Sequence, residues 1–281
     1  MASTTTTLND LLPQITAEAM FVANERSIMR GLVKGYNIPA GQGKTITVPI
    51  YNTVAAAGVT EGSQVGEVNV STNGETLTIT TAGVRTLITD LARTSAASNV
   101  VADIGRLFGE AIAKKMDQDL ITLFAGFGTD VGAVDANLSA ATIAKAVATL
   151  RGRSVPSDAI AVVVNPFAAY DLKATMTNTF ANPNAGVIQN AAMEEGYIGM
   201  LFGVPVFESA NVAEVAGVSV GGVFHRDALG LAMVGDMSIE TQRQATYLGD
   251  DIVGAAHYGV GALQGTYGVK VSALSSLYVA P

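Results

Sequence analysis

Residues 44–81 read KTITVPIYNTVAAAGVTEGSQVGEVNVSTNGETLTITT. The two ends of this stretch have the two-residue period of extended chain. Ile46, Val48 and Ile50 alternate with Thr45, Thr47 and Pro49, and Leu77 and Ile79 alternate with threonines. Strands are expected at Lys44–Tyr51 and Glu75–Thr81, and Pro49, which cannot donate to a ladder, favours a sheet edge. Between them lie over twenty residues of Ala, Gly, Val, Ser, Asn and Glu with almost no large side chain. An isolated two-stranded hairpin is marginal in water, and a structureless loop of this length is unusual in a compact domain. The excursion is therefore expected to need an external surface to hold it.

Outward from this hairpin the chain turns helical. After an extended Val84–Asp90, a helix is expected from about Ala96 to Phe124. Ile104, Phe108, Ile112, Met116, Leu120 and Phe124 recur every fourth residue, with Val101, Leu107 and Ala111 widening the stripe. At 1.5 Å per residue this is a rod of ~42 Å, far above the mean helix of about 11–12 residues. Asp117 and Asp119 near its end read as solvated or paired groups. On the other side of the hairpin, Asn9 or Asp10 caps an expected helix with Pro13 in its first turn and Gly31 at its end. Leu12, Ile15, Ala19, Val22 and Met29 share one face, as in an arm lying on the body or on a neighbour.

The middle has an α/β texture. Ser139 caps a helix through Leu150, residues 159–165 (AIAVVVN) form a buried strand, and Asn165-Pro166 opens a short helix through Leu172. The stretch 175–196 is polar, with a turn at Asn182-Pro183-Asn184. Residues 200–209 (MLFGVPVFES) read as one apolar strand, and 218–225, 229–234, 238–244, 250–258 and 269–279 as extended.

Composition narrows the function. Only 14% of the 281 residues are charged, sixteen basic and twenty-four acidic for a net charge of −8, against about 25% charged in an ordinary soluble domain. Mean hydropathy is nevertheless positive, +0.36. No run approaches the ~18 apolar residues of a membrane helix, and residues 1–9 carry neither the basic nor the apolar block of a secretory signal. An ion-poor surface implies that other protein covers much of it. The acidic balance argues against a nucleic-acid-binding module, which shows a basic stripe. With no cysteine there is no disulfide or thiol chemistry, and two histidines leave little for a metal site, so no cofactor or metal is expected.

No motif outweighs this reading. Gly41-Gln42-Gly43-Lys44-Thr45 resembles the end of a phosphate loop, but Ile38 stands where its first glycine belongs and a strand, not a helix, follows. Gly259, Gly261 and Gly265 precede too little chain for a dinucleotide-binding unit. His225-Arg226-Asp227 is the tightest His/Asp pairing, yet no G-x-S-x-G accompanies it. His257 reads as a core or interface histidine, and Glu194-Glu195 and Asp250-Asp251 as solvated or interface carboxylates. No catalytic residue is assigned, and the chain is not expected to be an enzyme.

The order of elements is arm helix, long hairpin, long amphipathic helix, α/β middle, strand-rich end. That order resembles the major capsid protein of tailed bacteriophages, the α+β Hong Kong 97-type capsid fold. GKTITVPIYN…VTEGSQV resembles the start of its extended loop, ADIGRLFGEAIAKKMDQDLITLF its spine helix, and GMLFGVPVFES, GVFHRDALGLAMV and IVGAAHYGVGAL its later strands. The resemblance implies an N-terminal arm at 1–42, an extended loop at 43–90, a peripheral domain at 91–137 and 226–258, and an axial domain at 138–225 and 259–281. It implies an extended loop that crosses an adjacent subunit, with Glu61 and Glu67 as polar anchors to a neighbour's arginine.

The implied partners are copies of the chain itself, as hexamers and pentamers of an icosahedral shell in the virion, assembled in the host cytoplasm. Portal, scaffolding and decoration proteins would join it, with double-stranded DNA enclosed without specific binding and no membrane. Some family members cross-link through an extended-loop lysine. None occurs from Thr45 through Arg85, so that chemistry is not expected. The arm begins almost at once, so scaffolding is expected to be separate or already removed. The competing implication is an encapsulin, a related shell around a protein cargo.

Overall fold

The computed structural model describes residues 27–39, 41, 43–51, 54–95, 100–179 and 197–278. The expected arm helix before Ser27, the Asn182-Pro183-Asn184 turn and Glu194-Glu195 lie outside them. The first elements are α1 (Ile28–Leu32), β1 (Lys34–Ile38), β2 (Thr45–Tyr51), β3 (Thr72–Thr78), β4 (Thr80–Thr89), α2 (Asp90–Ser95) and α3 (Val100–Thr122). A 3-10 turn at Leu123–Gly126 ends α3. There follow β5 (Ala133–Asn137), α4 (Ala140–Gly152), β6 (Ile160–Val164), α5 (Pro166–Thr179), β7 (Tyr197–Leu201) and β8 (Val204–Glu208). The last are β9 (Glu214–Val215), β10 (Val218–His225), β11 (Leu229–Val234), β12 (Ser238–Gln244), β13 (Gly249–Ala262) and β14 (Gly268–Leu274).

Two sheets organise the chain. In the first, β4 runs antiparallel along one edge of β13 from Thr89 opposite Gly249 to Thr80 opposite Tyr258. The other edge of β13 takes β12 and then β11, and β1 lies parallel outside β11. The alternation of β4 decides which side is covered: Val84 and Ile88 face inward with Ile239 and Ile252, and α3 lays Ile104 and Phe108 on them. Further along, Ile112, Met116 and Leu120 of the same helix, with Phe124 of the 3-10 turn, bury against Met29, Leu229, Leu231, Ala256 and Tyr258.

The second sheet runs β5-β14-β10-β6-β8-β7, with β9 on β10. All five residues of β6 are buried, as expected of an unbroken Ile-Ala-Val-Val-Val run covered on both faces. Ile143, Val147 and Leu150 of α4 and Ala168, Ala169 and Leu172 of α5 pack in the same core. The expected caps are present: the Ser139 hydroxyl accepts from Thr142 N, and Asn165 Oδ1 accepts from Phe167 N. Phe124, Phe127 and Phe224 stack with centroids 5.2–6.5 Å apart where the end of α3 meets this sheet.

Four expectations need correction. MLFGVPVFES is a hairpin: Phe202 and Gly203 both take positive φ, 54° and 79°, turning β7 back on β8. Such turns need that left-handed pair, and one glycine in an apolar run hid it. The helix expected to run to Gly31 is broken at Ser27, whose backbone is extended and whose side chain caps a new helix, α1. The helix opened by Pro166 runs to Thr179, past Leu172. Leu107 and Ala111 do not widen the buried stripe of α3; both are exposed. As to the sheets, β5 ladders with β14 in the second, and β13 pairs within the first through Ala262.

Candidate assembly surface

Strand β2 pairs β3 from Thr45 opposite Thr78 to Tyr51 opposite Thr72. One face of this ribbon carries Ile46, Val48 and Ile50, which pack near its base with Ile38, Leu77, Ala232 and Leu263. The opposite face carries threonines, with Thr47 and Thr76 hydroxyls 3.4 Å apart. Leu77 is the anchor, fully buried among the body strands. Every described residue from Tyr51 through Thr76 is exposed.

The loop beyond the ribbon bends once, where Ser63 N donates to Thr60 O across Glu61-Gly62, and Gly62 supplies the φ of +81° that the turn requires. Val54, Val59, Val65, Val68 and Val70 are 48–71% exposed along it. Glu61 and Glu67 both stand in this stretch, exposed, with no partner among the described residues. Among the described residues nothing brings them near a basic group.

The root of the hairpin is held by charge. Asp251, buried on β13, accepts hydrogen bonds at both carboxylate oxygens from Arg85 Nε, at 2.9 and 2.8 Å, and Arg85 Nη2 stands 2.6 Å away. On the other face Asp250 meets Arg93 at 3.2 Å and Arg243 at 3.4 Å. Arg243 also lies bidentate on Asp90 at 2.7 and 2.6 Å. These hydrogen bonds from Arg243 hold the Asp90 carboxyl below its ordinary range and raise the guanidinium in turn. Asp250 and Asp251 were expected to be solvated or interface carboxylates; both are buried and ion-paired within the chain. The adjacent residues point to opposite faces, so each recruits its own arginine.

The spine helix is tied at its far end. Asp117 is buried and accepts from Ser27 Oγ at 2.6 Å and Ile28 N at 3.1 Å, and burial pushes its pKa up. Asp119 accepts from Tyr258 OH at 2.8 Å, and burial first, then that carboxylate, raises the phenol. Both aspartates are paired, as their positions near the helix end suggested.

The two histidines stand apart, in different surroundings. His225 is buried, its Nδ1 accepts from Asp227 N at 3.2 Å, and Asp158 lies 3.6 Å from Nε2. The Asp227 carboxylate is spent on Lys34 at 3.0 Å. Two cavities, of about 370 and 560 Å³, are lined by neither His225 nor Asp227. His257 is not a core residue: it is exposed on β13, with Nδ1 2.9 Å from Thr81 Oγ1. Among the described residues no group of three His, Asp or Glu is placed to hold a metal.

The family model described as phage capsid protein matches residues 74–271, from the return strand of the hairpin to β14. The chain belongs to the phage capsid protein family.

Solved structures agree on the fold of this capsid protein, which is the Hong Kong 97 type. A chain from Mycobacterium phage Che8 superposes with a TM-score of 0.66 at 22% identity, over 88% of this chain and 91% of that one. The capsid of cyanophage P-SCSP1u gives 0.68 at 17% identity, over 90% and 89%. The holo-SrpI encapsulin complex from Synechococcus elongatus gives 0.63 at 10% identity, over 90% and 89%. A search of curated proteins returns no match. The protein is thus a structural component of the virion that builds a shell from copies of itself. That role accounts for the ion-poor composition and for a valine-rich loop that the described residues leave uncovered.

Proposed function

We propose that the chain closes as hexamers and pentamers into an icosahedral shell around double-stranded phage DNA, with the β2–β3 hairpin as an intersubunit strap. The observation that carries this is the exposure of every described residue from Tyr51 to Thr76 beside a firmly anchored base at Leu77. A segment so anchored and so uncovered is built to reach something else. Glu61 and Glu67 are its polar anchors. The first sheet with α3 serves as the peripheral domain and the second sheet as the axial domain. Within that reading the ladders favour placing 133–137 with the axial unit and 259–262 with the peripheral one.

Each contact can be weak, because closure of a symmetric shell makes later contacts effectively intramolecular. Few charges need to be desolvated as copies meet. Assembly takes place in the host cytoplasm, with portal, scaffolding and decoration proteins as further partners. The role is mechanical and not catalytic, in keeping with a His225–Asp227 pair that opens onto neither cavity.

Deleting residues 54–73 should leave folded subunits that fail to form stable shells; normal particles from this deletion would refute the strap. A second reading, a protein nanocompartment, is favoured by the encapsulin superposition. Particle contents decide between them: double-stranded DNA or a protein cargo.

A further inference from the structure

His225 ends β10, the strand by which the chain leaves the second sheet, and the 3-10 turn Arg226–Ala228 then delivers it to β11 of the first. The return crossing lies against this turn. Leu263 N and Gln264 N both donate to Ala228 O on the way from β13 to β14. Tyr267, in the 3-10 turn before β14, presents its ring edge-on to the imidazole with centroids 5.8 Å apart. His225 therefore sits at the joint of the two sheets, with its side chain 6% exposed.

The hydrogen bonds fix the tautomer of the neutral ring. Nδ1 accepts from Asp227 N at 3.2 Å, so the ring hydrogen is on Nε2. That N–H is buried and has no hydrogen-bond partner among the described residues. Two carboxylates stand just out of reach. Asp158 Oδ1, in the loop before β6, is 3.6 Å from Nε2, and Asp227 Oδ2 is 3.8 Å from Nδ1. Neither distance is a hydrogen bond. Three cations surround the joint. Lys34 of β1 meets Asp227 Oδ1 at 3.0 Å. Arg226 Nε donates to Val33 O, and the Arg153 guanidinium donates to Thr266 O and Thr129 Oγ1.

We propose that His225 is a clasp closed by a proton. A second proton, taken from solvent onto Nδ1, turns that nitrogen into a donor and ends its bond with the Asp227 amide. The imidazolium then donates at both ends, from Nε2 to Asp158 and from Nδ1 to Asp227 Oδ2. Each charge-assisted bond closes to about 2.7–2.9 Å. The loop before β6 of the second sheet is thereby drawn onto the crossover into the first, and Asp227 bridges the ring and Lys34. Histidine changes charge between about pH 5 and 8, so the clasp works in that range.

The chain has only two histidines, which makes the test direct. Full-length shells labelled with ¹⁵N-histidine and ¹³C-aspartate are compared by solid-state NMR at about pH 8 and about pH 5, with His257→Gln assigning the second ring. At the higher pH the proton should be on Nε2 alone. At the lower pH both nitrogens should be protonated and each should gain a dipolar contact to an aspartate carboxylate. Asp158→Asn, a change at an exposed position, should remove the Nε2 contact and keep that at Nδ1. Exchange of the Asp227 amide, relative to its intrinsic rate, should rise tenfold or more on acidification. A neutral ring protonated on Nδ1, a ring still singly protonated at the lower pH, or double protonation without the carboxylate contacts would each overturn the clasp.

Discussion

Across ninety residues of sequence, the Ser27 hydroxyl donates a 2.6 Å hydrogen bond to the buried Asp117 carboxylate. The same carboxylate accepts from Ile28 N, so one side chain fixes both the start of α1 and its seat on α3. Asp117→Ala should cost about 1–3 kcal/mol of subunit stability, because it strands two donors away from water. Asp117→Asn keeps one acceptor and should cost less. The pH sign follows from burial, which raises this carboxyl above its ordinary 3.8. A raised acid binds protons more tightly when folded, so its contribution is largest at low pH and falls as pH rises through the raised value. Urea titrations of unassembled subunits should show the parent gaining on Asp117→Asn between pH 7 and 4; the reverse trend would contradict the assignment.

The Arg85–Asp251 pair is asymmetric, the arginine 66% exposed and the aspartate 7%. Removing the arginine leaves a buried carboxylate without its cation; removing the charge of the aspartate leaves an arginine already in water. Arg85→Ala should therefore lower the subunit melting temperature more than Asp251→Asn. Equal losses from the two would mean that the buried carboxylate draws its compensation elsewhere.

Asp90 titrates in the opposite sense to Asp117. Arg243 holds its carboxyl below 3.8, so the stabilisation is present above that value and is lost as pH falls through the depressed one. The Asp90 amide also donates to Leu248 O, so release of this pair frees the junction of β4 and α2 from the β12–β13 turn. Amide exchange at residues 86–92, taken relative to the intrinsic rate at each pH, should accelerate below about pH 4 in the parent. In Arg243→Ala it should already be fast at neutral pH, with little further acid response.

Leu77 sits where the hairpin meets the body, and two glycines of β13 make room, one for its side chain and one for the backbone that follows it. A Cβ on Gly261 would stand 2.5 Å from Leu77 Cδ2, a side chain that can turn aside. A Cβ on Gly259 would stand 2.4 Å from Thr78 O, which is backbone and cannot. Gly259→Ala should thus destabilise more than Gly261→Ala, and Leu77→Ala should cost about 2–5 kcal/mol by opening a cavity. Chemical denaturation of assembly-blocked subunits ranks the three.

The parts of this fold written in local periodicity were legible. Thr45–Tyr51 alternates because one ribbon face meets Leu77, and Ile104 to Phe124 repeat every fourth residue because one sheet covers that side. What eluded the sequence depends on non-local partners. Ser27 breaks a helical pattern because Asp117 waits for it, and Phe202 adopts a left-handed backbone because β7 and β8 pair. Leu107 has the composition of core but lies ~60° around the helix from Ile104, and the described residues leave it exposed. Glu61 and Glu67 were visible as exposed charges in an apolar loop. The partner proposed for them was not, since a contact made in another copy would leave no spacing or periodicity within one chain.

The charge that identifies the strap also bears on the genome. The chain carries a net charge of −8, and Lys34, Arg85, Arg93, Lys115, Lys173, Arg243 and Lys270 are held by its own carboxylates. Phosphate binding requires cations that can displace condensed counterions, and each such contact adds about −0.9 to the slope of log K against log salt. A shell of this protein has few to offer. Empty particles should retain duplex DNA weakly at physiological salt, with a slope shallower than about −2. DNA would then be confined by the closed wall and not adsorbed to it. Filter binding or fluorescence titration of opened shells from about 50 to 300 mM salt measures this directly, and a steep slope with tight binding would show that the wall presents a cationic face to its contents.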